Sequence, residues 1–180
     1  MTPDPNEVLF EAASFAARAH RNQVRKDGQT PYFAHTARVC LVVRHVFGVD
    51  DPKVLAAALL HDTIEDTPTD YDDLAERFGD EVAGWVAALT KDMRSPEPER
   101  EAAYHHAIAT APWQVVVCKL ADIYDNLTDS RLLATAARQK TLRRVSGYLD
   151  AMTAHLPPEA ATAFALTAAR LAAVRDETGV

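Results

Sequence analysis

Apolar residues return every three to four positions along most of this chain, the spacing of helices with one buried face. Val8, Ala12, Phe15, Ala16 and Ala19 mark a first helix that gives out near Asn22. Ahead of it, Asp4-Pro5-Asn6-Glu7 supplies a cap, a first-turn proline and a glutamate at N3. Gly28 and Pro31 make Arg25 to Tyr32 a loop. A second helix starts near Phe33, carries His35, Val39, Val42, Val43 and Val46, and ends before Gly48. A third follows Asp51-Pro52. Thr69 opens a fourth that stops at Gly79, and Asp80 opens a fifth with Val82, Trp85, Val86 and Leu89 inside. Lys91 to Glu97 reads as an exposed loop before a short helix through Tyr104, because Ser95 to Arg100 holds two prolines and no apolar side chain. Pro112-Trp113 opens a helix running from Gln114 to about Leu127, another spans Ala134 to Leu156 before Pro157-Pro158, and a last one reaches about Asp176. No segment passes the strict alternation expected of a strand, with Val115 to Val117 the one doubtful run. The predicted fold is all-α, a bundle of about eight to nine helices forming a single domain over residues 1–180.

Two places break the amphipathic pattern. Pro52 to Leu60 is apolar on nearly every side, as only a buried helix should be. It runs straight into His61, Asp62, Glu65 and Asp66. If the helix continues, His61 and Glu65 lie one turn apart, as do Asp62 and Asp66. Carboxylates at the end of a core helix need a cationic partner, since burying them alone is costly. A divalent metal with an acid/base carboxylate beside it meets that need; a helix cap with a dipole-stabilised histidine is the plainer alternative. The same anomaly recurs where the apolar run Val115 to Cys118 meets Lys119, Asp122 and, one turn on, Asn126. His35 interrupts a third apolar face. Together His35, His61, Asp62 and Asp122 make a set of two imidazoles and two carboxylates, which suits Mn, Fe or Zn better than Ca.

Charge narrows the ligand. At 180 residues and a net charge of −7, the chain lacks the basic face a nucleic-acid backbone requires, so no nucleic acid is expected as partner. A small phosphorylated molecule remains compatible, because a metal and a few local cations make a positive pocket on an acidic protein. No run of 18 apolar residues argues for a membrane span. The first residues lack the basic and apolar regions of a signal peptide, and Cys40 and Cys118 form no pattern, so a cytoplasmic protein with reduced thiols is expected. The pattern carries no signature of oligomeric state.

Three segments in order, Tyr32-Phe33-Ala34-His35, His61-Asp62-Thr63-Ile64-Glu65-Asp66-Thr67 and Lys119-Leu120-Ala121-Asp122 with Asn126-Leu127, resemble the HD-superfamily phosphohydrolases. The likeness is greatest to the hydrolase domain of the RelA/SpoT enzymes and to the stand-alone small alarmone hydrolases, and it covers about residues 8 to 150. It implies a Mn²⁺-dependent enzyme, with Fe²⁺ or Zn²⁺ as alternatives, that removes the 3′-diphosphate of (p)ppGpp. By the resemblance His35, His61, Asp62 and Asp122 are metal ligands, and Glu65 and Asp66 position and deprotonate the attacking water. Arg25 and Lys26 match the basic pair near the phosphates, and Asn126 matches a nucleoside contact. The synthetase, TGS and ACT parts of the long enzymes have no counterpart, so no synthesis is expected.

Two positions depart from the family. Ile123 stands where relatives usually carry Lys or Arg, and Met93 to Glu97 is poorer in lysine than many relatives. Lys140 and Arg144, one turn apart, are basic candidates to compensate, and arginine at position 123 is expected to tighten the nucleotide. Another phosphohydrolase activity, on NADPH at the 2′-phosphate or as a nucleotidase, fits the same residues. A non-catalytic nucleotide sensor is the alternative of a different class, although a sensor has no need of the Glu65-Asp66 pair.

Overall fold

The computed structural model describes residues 6–178, and they divide into two compact units, up to Thr90 and from Lys91 on. Among the described residues there is no strand, only one isolated bridge between Val24 and Pro31. The architecture is all-α, as the periodicity predicts.

The first unit is arranged around a helix whose residues from Val54 to Leu60 are all buried. It is α3 (Pro52–Leu60), packed by α1 (Glu7–Ala19), α2 (Phe33–Leu41) and α5 (Tyr71–Leu89), with the short α4 (Thr63–Asp66) beside α5. Its start is fixed locally: Asp51 Oδ1 accepts the Lys53 amide at 2.8 Å and the Val54 amide at 3.4 Å, and Pro52 occupies the first turn. For α1, the expected cap at Asp4-Pro5 lies outside the described residues; Asn6 takes the N-cap position without a side-chain bond. α2 widens at its end into a π-helical turn, Val42–Val46. The start expected at Thr69 falls instead at Asp70, which exchanges side-chain bonds with Asp73 in a capping box. The expected break at Gly79 is present within α5 as a residue at φ 83°, ψ 159°, a conformation other residues rarely adopt.

The second unit comprises α6 (Glu97–Ala109), α7 (Trp113–Asp129), α8 (Thr135–Thr153) and α9 (Ala161–Thr178), with 3₁₀ turns at Ser130–Leu132 and Pro158–Ala160. α7 packs on α9 and α6, and α8 on both of those helices. Val115 to Cys118, the doubtful run, are buried on α7. α6 differs from expectation: it begins at Glu97 and buries Tyr104, Ile108 and Ala109. Pro96 and Pro98 fall at the N-cap and in the first turn, where a missing amide hydrogen costs nothing, so they start this helix instead of preventing it. Cys40 and Cys118 form no disulfide among the described residues. Among the described residues no helix is long and apolar enough to cross a membrane.

Candidate functional site

The core helix α3 stops at Leu60. Asp62 has φ −102° and ψ 0°, outside the helical region, so His61-Asp62 is a turn between α3 and α4. This corrects the expectation of one continuous helix with two turn-spaced pairs. The turn lets successive residues reach the same spot. His61 is 3% exposed, and its Nδ1 lies 2.9 Å from the Ala58 carbonyl oxygen. A carbonyl only accepts, so Nδ1 carries a hydrogen and Nε2 is left to bind a proton or a metal. That Nε2 is 3.0 Å from Asp62 Oδ2, and the Nε2 of His35, a residue 1% exposed, is 3.6 Å from the same oxygen. Ligand atoms of His35, His61 and Asp62 all lie within 4.8 Å of one another. A lone pair aimed at a carboxylate oxygen is repulsive unless a proton or cation lies between them. The donor set therefore fits a divalent metal, and the Ala58 carbonyl supplies the outer-shell bond that orients a metal-binding imidazole.

The carboxyls respond to these neighbours. Burial pushes the Asp62 carboxyl up, but the two imidazoles outweigh it and hold the group well below the usual range. Asp66 goes the other way: burial and the negative charge of Asp62 raise it, against the opposing bond from Tyr32. Glu65 is half-buried on α4 and Asp66 is exposed at its end.

Three side chains around this cluster have no assigned role in the sequence reading. The Tyr32 hydroxyl lies 2.6 Å from Asp62 Oδ2 and 3.2 Å from Asp66 Oδ2. The Tyr32 ring stacks on His20 at 4.8 Å and stands edge-on to His35 at 5.5 Å. His20 Nδ1 in turn meets Gln23 Oε1 at 2.8 Å, and the Gln23 amide donates to the Asp66 carbonyl at 2.6 Å. Tyr32 adjoins the His35 motif in sequence, which was the available signal; nothing local marks His20 or Gln23.

The loop before Tyr32 is held by its own bonds. Asp27 accepts the Gln29 and Thr30 amides and the Thr30 hydroxyl, and these, with the hydroxyl foremost, bring its carboxyl down to about 2. The Arg25 amide donates to the Thr30 carbonyl at 2.7 Å, and Gly28 turns the chain at φ 71°. Arg25, 7% exposed, lies with its guanidinium 5.4 Å from the Tyr32 ring centre, whereas Lys26 is exposed.

The remaining candidates belong to the second unit. Asp122 is buried on α7, accepting Lys119 Nζ at 2.8 Å on one oxygen and the Asn126 amide on the other. Burial pulls the Lys119 ammonium down, yet Asp122 above all holds it well above the usual range, and it sits 5.3 Å from the Tyr104 ring and 5.1 Å from the Tyr148 ring. Lys140 pairs with Glu97 at 2.9 Å on the exposed face of α8, and Arg144 is exposed one turn on. Ile123 is 3% exposed. It is a core side chain, so the expectation that arginine there would simply add charge to the site is corrected: the charge would enter the packed interior.

The HD-domain family matches residues 12–173. A Danio rerio protein named guanosine-3′,5′-bis(diphosphate) 3′-pyrophosphohydrolase MESH1 is 42% identical over 123 residues, which are 68% of this chain and 68% of that one. The Homo sapiens protein of the same name is 45% identical over 123 residues, 67% of this chain and 68% of that one. A solved structure, described as a metazoan ortholog of SpoT that hydrolyzes ppGpp and plays a role in starvation responses, superposes with a TM-score of 0.84 at 27% identity and covers 99% of this chain and 98% of that one.

Proposed function

This chain belongs to the HD-domain family, and from that premise we propose that it is a metal-dependent hydrolase that removes the 3′-diphosphate from (p)ppGpp, leaving GDP or GTP and pyrophosphate. The observation that carries the reading is the convergence of His35, His61 and Asp62 on one spot, in a family whose similar members are named for this reaction. The whole chain is taken as one HD domain in a cytoplasmic protein, with a small nucleotide and no nucleic acid as its partner.

Mn²⁺ is the proposed metal, with Fe²⁺ or Zn²⁺ as alternatives, on the chemistry of mixed imidazole and carboxylate donors. His35, His61 and Asp62 would hold it, and Asp122 is proposed as the fourth ligand on its Leu-Ala-Asp motif. Bound there, a divalent ion lowers the pKa of water and offsets charge on phosphoryl oxygens. Glu65 accepts the proton of the attacking water, and Asp66, its carboxyl raised and bonded to Tyr32, orients that water. Arg25 and Lys26 stabilise charge building on the departing diphosphate, with Arg25 buried beside the Tyr32 ring and Lys26 at the surface. Asn126 contacts the nucleoside. Lys140 and Arg144 are the proposed cations for the remaining phosphates; Lys140 must first give up Glu97.

Incubation of the purified chain with Mn²⁺ and ppGpp, followed by anion-exchange separation, tests the reading. GDP and pyrophosphate are the expected products. Cleavage at the 5′-diphosphate, or turnover of NADPH but not ppGpp, would overturn the substrate while leaving the metal cluster in place.

A further inference from the structure

Lys53, Lys91, Arg94, Lys119 and Lys140 each lie within 3 Å of a carboxylate. Three arginines of the second unit without such a pair share one place in the fold. Arg131 on the Ser130–Leu132 turn, Arg138 on α8 and Arg170 on α9 line one cavity of about 250 Å³, and none forms an ion pair among the described residues. Glu177 is the only carboxylate among the lining residues.

The protein satisfies these guanidiniums unequally. Arg138 is held by the backbone: its Nε donates to the Ser130 carbonyl at 2.9 Å and its Nη2 to the Arg131 carbonyl at 2.6 Å. These are carbonyls of the 3₁₀ turn that follows α7, near the negative end of its dipole, which disfavours an anion. Arg138 sets a positive charge against those carbonyls, and its two bonds fix its position. Arg170 is under-satisfied. Its guanidinium lies 6.0 Å from the Tyr124 ring, Nη2 reaches the Thr128 hydroxyl only at 3.4 Å, and its enclosed Nε has no hydrogen-bond partner among the described residues. Arg131 is exposed, and its own side chain makes no hydrogen bond or ion pair among the described residues.

We propose that this cavity is an anion site for a phosphate-class dianion, bound by Arg131 and Arg170 and braced by Arg138. Guanidiniums from three separate elements present forked donors that match phosphate oxygens, and their mutual repulsion is relieved when a multiply charged oxyanion arrives. A single carboxylate ligand would leave net positive charge. The cavity is below the range of ordinary nucleotide and drug pockets, roughly 300–1,000 Å³, which favours an inorganic or terminal phosphate group over a whole nucleotide. The site begins at Leu127, the residue after Asn126 on the same helix. It uses none of the residues assigned to hydrolysis, so it stands whether or not that assignment does.

The test is a titration of the chain, loaded with diamagnetic Zn²⁺, with inorganic phosphate, followed by backbone amide shifts. Saturable shifts at residues 127–131, 138 and 170–177, distinct from any at the metal cluster, with roughly tenfold more phosphate needed in Arg131→Gln and in Arg170→Gln, are the expected result. Arg131 is exposed, so its variant keeps the fold if Arg170→Gln does not. No shift in those segments, or shifts that both variants leave at wild-type concentration, would overturn the site. Hydrolysis measured without added phosphate should be unchanged in both variants.

Discussion

The Tyr32 hydroxyl donates to Asp62 Oδ2 across 2.6 Å, tying the loop between α1 and α2 to the turn after α3. A bond to an ionised acceptor contributes about 1.5–3 kcal/mol, and losing an outer-shell partner of a metal ligand typically costs 10–100-fold in affinity. Tyr32→Phe keeps the ring stacked on His20 and removes only that donor. Divalent-metal affinity, measured by calorimetry, should fall by about 10–100-fold. Affinity equal to wild type would mean the hydroxyl does not orient Asp62.

The ligand assignments separate under mutation. His61→Ala and Asp122→Ala should each abolish metal retention measured by elemental analysis, with activity lost in step. Asp122→Ala carries a second cost, because it strands the Lys119 ammonium, 13% exposed, between two tyrosines; breaking such a pair costs on the order of 3 kcal/mol. Full metal content in Asp122→Ala would restrict the ligands to the His35, His61 and Asp62 cluster.

Glu65→Gln preserves shape but cannot accept a proton. With metal content intact, kcat should drop about 10²–10⁴-fold. If metal is lost as well, Glu65 is a ligand or its support, and the base must be sought elsewhere.

Ile123→Arg now has a different expectation from the one the family pattern suggests. Ile123 is buried on α7, so the guanidinium would enter a packed, apolar interior without a partner. Urea unfolding should show a loss of about 3–5 kcal/mol. A stable variant with a lowered KM for ppGpp would show that position 123 has a route to the nucleotide.

The Lys91–Glu101 pair, 2.7 Å apart and largely sheltered, makes a pH prediction that involves none of the proposed metal ligands. Burial pushes the Glu101 carboxyl up, but the Lys91 ammonium and the Tyr148 hydroxyl outweigh it and the group titrates below the usual glutamate range. A lowered folded-state pKa gives stability that is fully present above the unfolded value, about 4.3, and is lost as pH falls through the folded one. Unfolding free energy measured at stepped pH should therefore fall less steeply in Glu101→Gln than in wild type below about pH 4.3. Identical slopes would remove Glu101 from the acid sensitivity of the fold.

The helices, the buried character of α3 and the break at Gly79 were legible in the sequence because each depends on residues a few positions apart. Periodicity names a face, a capping aspartate names a start, and a positive φ demands glycine. The residue types suited to a metal were legible for the same reason: charged groups at the end of an apolar run are a local anomaly. Tertiary structure alone placed Tyr32 on Asp62 and Gln23 on Asp66, contacts across 30 and 43 positions that no local pattern encodes. It also put a turn where a continued helix was expected at His61-Asp62, since convergence with His35 is a requirement of packing and not of helix propensity. Ile123 and the arginines of the second unit make the same point. Whether a side chain is core or site, and whether a cation already has its anion, depends on which elements pack around it.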